Sequence, residues 1–197
     1  MPNLYIIAGC NGAGKTTASF TILPNILNCI EFINADSIAY GISPFNVEGV
    51  AFEAGRIMLK RIDELLTSGR DFAIETTLST RSYVALVQNA KTLGYEISVI
   101  FIWLNCTEMA IQRVAERVKK GGHNIPVDII SRRYYRGIKN LFQLFIPISN
   151  KWIIADNSYY ELNIIAEGKK NIKDYLEKFE IDIINNEIWS IIQNQTK

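Results

Sequence analysis

Histidine occurs once in the 197 residues and cysteine only three times. His123 has no second histidine and no cysteine close by, so a zinc site built from clustered imidazoles and thiolates is excluded, and a loop-structuring role is expected of it. Cys10, Cys29 and Cys106 form neither a disulfide framework nor a zinc spacing. An odd number of separate thiols fits a reducing cytosol. Charge of one sign is also lacking, since the net charge is +1. That excludes a general electrostatic pull toward nucleic acid or an anionic membrane, and any positive site must be local. Long hydrophobic runs are missing as well: residues 99–104 (VIFIWL) are strand-length and far short of a membrane span. The chain starts almost directly in a strand, so no secretion signal is expected. A cytoplasmic location is expected, with neither nucleic acid nor membrane as partner. No repeat, low-complexity tract or Pro/Gly-rich linker breaks the chain, so residues 1–197 are read as one domain.

Glycine is where it matters. Gly9-Cys10-Asn11-Gly12-Ala13-Gly14-Lys15-Thr16 has the spacing G-x-x-x-x-G-K-T. It follows an apolar run, residues 4–8, and precedes a segment beginning at Thr17 that can open a helix. In that setting consecutive backbone N–H groups wrap phosphates. Lys15 reaches the β- and γ-phosphates, and the Thr16 hydroxyl serves Mg²⁺. Gly12 and Gly14 allow close backbone approach, and the helix N-terminus adds positive potential. Residues 9–17, Cys10, Asn11, Ala13 and Thr17 included, are the expected nucleotide-binding set.

Strand-like and helix-like segments alternate along the chain. Residues 29–34 read as a second strand ending at Ala35-Asp36. Ser43-Pro44 offers an N-cap and a first-turn proline for the next helix. Val50, Ala54, Ile57, Met58, Ile62 and Leu65 then recur at helical spacing, with Gly69 placed to end it. Strands follow at 72–75, 96–104 and 151–155, with helices at 81–93, 108–119 and from about Asp128. A further edge strand at 162–166 and two C-terminal helices are expected. Strands with little polar alternation are buried on both faces. The predicted class is therefore α/β, of the P-loop NTPase kind, with a mostly parallel five-stranded sheet, helices on both faces and a helical lid at about 107–145.

Ligands of such sheets bind beyond the carboxyl ends of the strands. Asp36 ends the second strand, one helix and one strand after Lys15, across a short gap from a transferable phosphate. A carboxylate there can take a hydroxyl proton while the oxygen attacks phosphorus; the plainer role is an N-cap or a magnesium partner. Glu75 follows an apolar run and needs partners, either substrate hydroxyls or the Mg²⁺ shell. Thr76, Thr77, Ser79 and Thr80 suit a strand end and a helix cap, with Thr77 alternatively touching substrate. Arg113 and Arg117 share a helix face, and Arg132, Arg133 and Arg136 follow the Gly121-Gly122 loop. A helix, glycine loop and helix bearing arginines suits a lid closing on phosphates. Arg113 and Arg136 are equally well read as solvated. Arg117 and one of Arg132 and Arg133 are read as functional.

The segments GCNGAGKTT, FINAD, AIETTLS and ERVKKGGHNIPVDIISRRY, in that order, resemble the zeta toxin family over residues 4–157. These are P-loop kinases related to chloramphenicol phosphotransferase-like enzymes. The resemblance implies ATP and Mg²⁺ as cofactors and the sugar 3′-hydroxyl of UDP-N-acetylglucosamine as acceptor, with an antitoxin protein as candidate partner. Motif by motif it implies Lys15, Asp36, Arg117 and Arg133 as catalytic residues and Glu75 and Thr77 as substrate-binding ones. Arg132 competes with Arg133, since spacing does not separate neighbours. The expected activity is an ATP-dependent small-molecule kinase acting on a nucleotide sugar. The rival readings are another hydroxyl acceptor (a sugar, nucleoside or drug), or a regulatory nucleotide-binding module. A nucleic-acid-binding ATPase is disfavoured by the near-neutral charge.

Overall fold

Leu4, Ile6, Ile7 and Ala8 are fully buried, and a strand with no polar break belongs in the middle of a sheet covered on both faces. A computed structural model of the chain, which describes residues 1–173 and 176–196, places that strand, β1 (Asn3–Ala8), there. It is followed by α1 (Lys15–Asn25), β2 (Phe32–Ile33), α2 (Ala35–Ile42), α3 (Ala51–Ser68), β3 (Phe72–Thr76), α4 (Ser82–Thr92) and β4 (Glu96–Trp103). Next come α5 (Thr107–Lys119) and α6 (Val127–Asn140), which runs through a π-helical turn (Leu141–Phe145) into the short α7 (Ile146–Ile148). The chain ends with β5 (Lys151–Asp156), β6 (Asn163–Lys173), β7 (Leu176–Ile183) and α8 (Asn186–Asn194).

The strand order is β2-β3-β1-β4-β5-β6-β7. The first five strands are parallel. After β1 the chain winds to the β2–β3 side, then crosses to β4 on the other, so direction reverses around β1. Crevices form at such a reversal, beyond the carboxyl ends of the strands.

The five parallel strands are those expected, but the sheet has seven. β6 and β7 pair antiparallel on the β5 edge, the start of β6 being the edge strand expected at 162–166, and among the described residues one C-terminal helix follows instead of two. The reason lies in the pattern of β7, where Phe179, Ile181 and Ile183 alternate with Lys178, Glu180 and Asp182. That is a period of two, which suits an edge with one wetted face. Helix α8 seals the other side: Trp189 stacks on Trp152 at 5.8 Å between ring centroids. Gly168 lies over the Trp152 indole, where any Cβ would collide with the ring.

A second correction concerns residues 35–50. Ser43 is the C-cap of α2, not an N-cap for the next helix, which begins at Ala51. Asn34 starts α2 by accepting the Asp36 and Ser37 amides at 2.8 and 3.2 Å. Elsewhere the helical periodicity reads true apart from Ile57, which is exposed. Ala54, Met58, Ile62 and Leu65 are buried on α3, and Gly69 closes it in the left-handed region at φ 63°. On α6 the buried face is Ile130, Tyr134 and Ile138, with the Tyr134 hydroxyl donating to the Leu104 carbonyl at 2.7 Å.

Candidate active site

The loop between β1 and α1 turns through backbone that only glycine adopts readily. Gly9 has φ 142° and Gly14 φ 86°. A Cβ on Gly9 would strike the Ile102 carbonyl of β4, and one on Gly14 would lie 2.5 Å from the Asn157 side-chain nitrogen. Asn157 follows β5, and its amide donates to the Ala13 carbonyl at 2.7 Å. The loop is thus strutted from the far end of the parallel sheet.

Lys15, the first residue of α1, is only 7% exposed. Its ammonium donates to the Cys10 carbonyl at 3.0 Å and lies 3.6 Å from a Glu75 carboxylate oxygen. Glu75 stands near the end of β3, next to β1 in the sheet. Its other oxygen accepts from the Thr16 hydroxyl at 2.8 Å and from the Asn34 amide at 2.7 Å. A buried carboxylate without such partners would be costly; here a cation, a hydroxyl and an amide all serve it. Thr16 and Glu75 side by side present hard oxygens of the kind Mg²⁺ takes when phosphates and water complete its shell. Among the described residues no cluster of three or more His, Cys, Asp or Glu could hold a metal unaided.

Asp36 is exposed, in the first turn of α2, and lines the same cleft as Lys15, Thr16 and Thr17. The cleft measures about 1080 Å³. Its lining includes apolar residues, Ile22, Ile26, Tyr40 and Val47, and, from α5 and the glycine loop, Arg113, Arg117 and His123.

The arginines separate by position. Arg117 donates to the His123 carbonyl at 2.8 Å, while its buried Nε has no partner. His123 meets Arg117 through its backbone, and its ring lies 3.9 Å from Glu48. Arg113 donates to the Asn157 and Ser158 carbonyls, each at 2.9 Å, and stacks 4.1 Å over the Tyr160 ring. Arg133 reaches the loop itself, donating to Asn11 Oδ1 at 3.2 Å. Arg132 and Arg136 are exposed, and none of Arg132, Arg133 and Arg136 lines the cleft, so Arg133 meets the loop through Asn11 from outside it.

Thr77 lies outside the cleft lining. Its hydroxyl is 2.9 Å from that of Ser79, and its carbonyl sits 2.6 Å from where a Cβ on Gly137 of α6 would be. Cys10 is 5% exposed. Burial outweighs the nearby Lys15 and pushes its thiol up to about 11. The sulfur is core filling, the plainer of the two roles a loop cysteine can have.

Sequence reasoning gave no role to three contributors, Asn34, Asn157 and Tyr160. The first two were visible as polar residues at strand ends, which is the signal that could have found them. Tyr160 carried none.

The family model described as Zeta toxin matches residues 1–145. The chain belongs to the zeta toxin family. Its architecture is that of the P-loop kinases. An uncharacterised protein of Haemophilus influenzae is 33% identical over 127 residues, covering 64% of this chain and 88% of that one. Among solved structures, a chain of the AvrRxo1-ORF1:-ORF2 complex with ATP superposes at TM-score 0.78 with 16% identity, over 100% of this chain and 65% of that chain. A chain from the PezAT chromosomal toxin-antitoxin system of Streptococcus pneumoniae superposes at 0.65 with 19% identity, over 99% and 86%. At these identities the superpositions speak for the fold. This zeta toxin family member spans 65% of the AvrRxo1 chain's length. Among the described residues no helix is long and apolar enough to cross a membrane.

Proposed function

We propose that the protein transfers the γ-phosphoryl group of ATP to a hydroxyl of a small molecule, a nucleotide sugar of the UDP-N-acetylglucosamine kind. The observation that carries this reading is the exposed Asp36 carboxylate in the same cleft as Lys15. A protein that only bound nucleotide would have little use for a free carboxylate there. Asp36 takes the proton of the acceptor hydroxyl as its oxygen bonds to the γ-phosphorus, and the bond to the β–γ bridging oxygen breaks to leave ADP. Lys15 leaves its contact with Glu75 to meet the β- and γ-phosphates. Thr16 would hold a magnesium ion, which would supply neutralising charge.

Helices α5 and α6 act in this reading as the lid. Arg117, with an unsatisfied Nε already buried, meets charge that grows on the transferring group. Arg133 holds Asn11 and so shapes the loop. Glu75 is read as serving magnesium and acceptor together. The apolar lining of Ile22, Ile26, Tyr40 and Val47 suits the base or acyl parts of a nucleotide sugar. The complexes named in the AvrRxo1 and PezAT structures support an antitoxin protein as partner. The free thiols of Cys10, Cys29 and Cys106 fit the cytosol, where ATP is plentiful.

The test is incubation with ATP labelled in its γ-phosphate and a panel of nucleotide sugars, free sugars and nucleosides. A labelled, phosphorylated nucleotide sugar supports the reading. Label passing only to water overturns it in favour of a regulatory ATPase.

A further inference from the structure

We propose that Asn34 is a positioning residue, a rigid tie between the helix that carries Asp36 and the Thr16–Glu75 pair beneath the phosphates. The inference rests on the reading of Asp36 as proton acceptor given above. Asn34 is 6% exposed, so each of its polar atoms needs a partner. Oδ1 accepts from the backbone amides of Asp36 and Ser37 at 2.8 and 3.2 Å. Nδ2 donates to Glu75 at 2.7 Å and lies 3.4 Å from the Thr16 hydroxyl oxygen. The flipped amide would set oxygen against a carboxylate and N–H against two N–H groups, so only this orientation is satisfied.

The two ends of one planar group therefore fix two things at once. One end sets where the first turn of α2, and with it Asp36, begins. The other end reads the state of Glu75. When a nucleotide draws Lys15 away from Glu75, that carboxylate depends more on Thr16 and Asn34. The demand is passed through the amide to the helix start. No other side chain of this size does both: serine caps but lacks the amide donor, and aspartate caps but cannot donate.

Two variants separate the cap from the tie. Amide hydrogen exchange of the peptide spanning α2 is followed by mass spectrometry with and without MgATP, alongside calorimetric titration of MgATP and a thermal melt. In the wild type MgATP slows exchange in the first turn of α2. Asn34→Ser keeps the cap, so exchange without nucleotide stays within about twofold of wild type, but the response to MgATP disappears. Asn34→Asp also caps, but sets a carboxylate against Glu75. Its MgATP affinity falls by about 10–100-fold, the usual cost of losing a partner one step behind a metal site. A serine variant that responds to MgATP as the wild type does, or a wild-type α2 indifferent to MgATP, overturns the proposal. A failure of phosphate transfer to every acceptor, with the response present in wild type and absent in the serine variant, would overturn the kinase reading and leave the tie supported.

Discussion

The Lys15 ammonium and the Glu75 carboxylate lie 3.6 Å apart at side-chain exposures of 7% and 11%. The loop's mobile cation is thus already matched by a carboxylate from the neighbouring strand. Removing one partner of a buried pair leaves the other uncompensated. Lys15→Ala is therefore expected to abolish measurable ATP binding by calorimetry and also to lower stability, by on the order of 3 kcal/mol. Lys15→Ala combined with Glu75→Gln should recover much of the stability and none of the binding. Thermal melts of the two variants check the first point.

Asp36→Asn should bind ATP nearly as the wild type does, because the Asp36 side chain is exposed and its tie to the loop runs through its backbone amide, which the substitution keeps. The amide keeps the shape and cannot take the proton, so transfer to acceptor should fall by ~10²–10⁴-fold. Initial rates at saturating ATP report this.

The arginines should divide into three behaviours. Arg117→Ala is expected to lower kcat by about 10²-fold or more with little change in ATP affinity, since its contact strengthens in the transition state. Arg133→Ala removes the bond to Asn11 and should raise the KM for ATP along with lowering the rate. Arg132→Ala, at an exposed position, should resemble the wild type. Steady-state kinetics across the three tests both lid assignments at once.

Cys10 should resist alkylation, whereas the half-buried Cys106 should label first. The thiol's value rises from 9.0 to about 11 on folding. The folded chain therefore holds this proton where the unfolded chain has lost it, and stability should decline as pH rises between about 9 and about 11. Burial also raises Tyr83 and Tyr134, which adds to the alkaline loss. Denaturant melts of wild type and Cys10→Ala across that range should show a shallower decline in the variant.

Much of this site was legible because phosphate loops and apolar strand runs are local signals. The loop, its flanking strand and helix, the order of the parallel strands' residues and the α6 face all depend on near neighbours in sequence. Asn34 shows where locality ends. As a strand-end polar residue it was visible, but its bond to Glu75 depends on β2 and β3 becoming neighbours. Helix α2 was hidden for a related reason: its start is set by that same side chain, while Ser43-Pro44 imitates a start further on. Of the last two strands only the start of β6 was read, as an edge strand at 162–166; β7 was missed although its alternation of apolar and charged residues is a strand signal, because that stretch was read as helix.

Asn157 props Ala13 across 144 residues of sequence, and Arg133 holds Asn11 across 122. During translation the phosphate loop therefore leaves the ribosome well before the residues that strut it. Contacts of such separation form late, after the chain between them has been gathered in. A nascent or prematurely terminated chain ending before residue 157 would carry the complete glycine-lysine signature and lack the strut at Ala13. The loop's final bracing is thereby timed to the completion of the fifth strand, long after the glycines and lysine of the loop have been made.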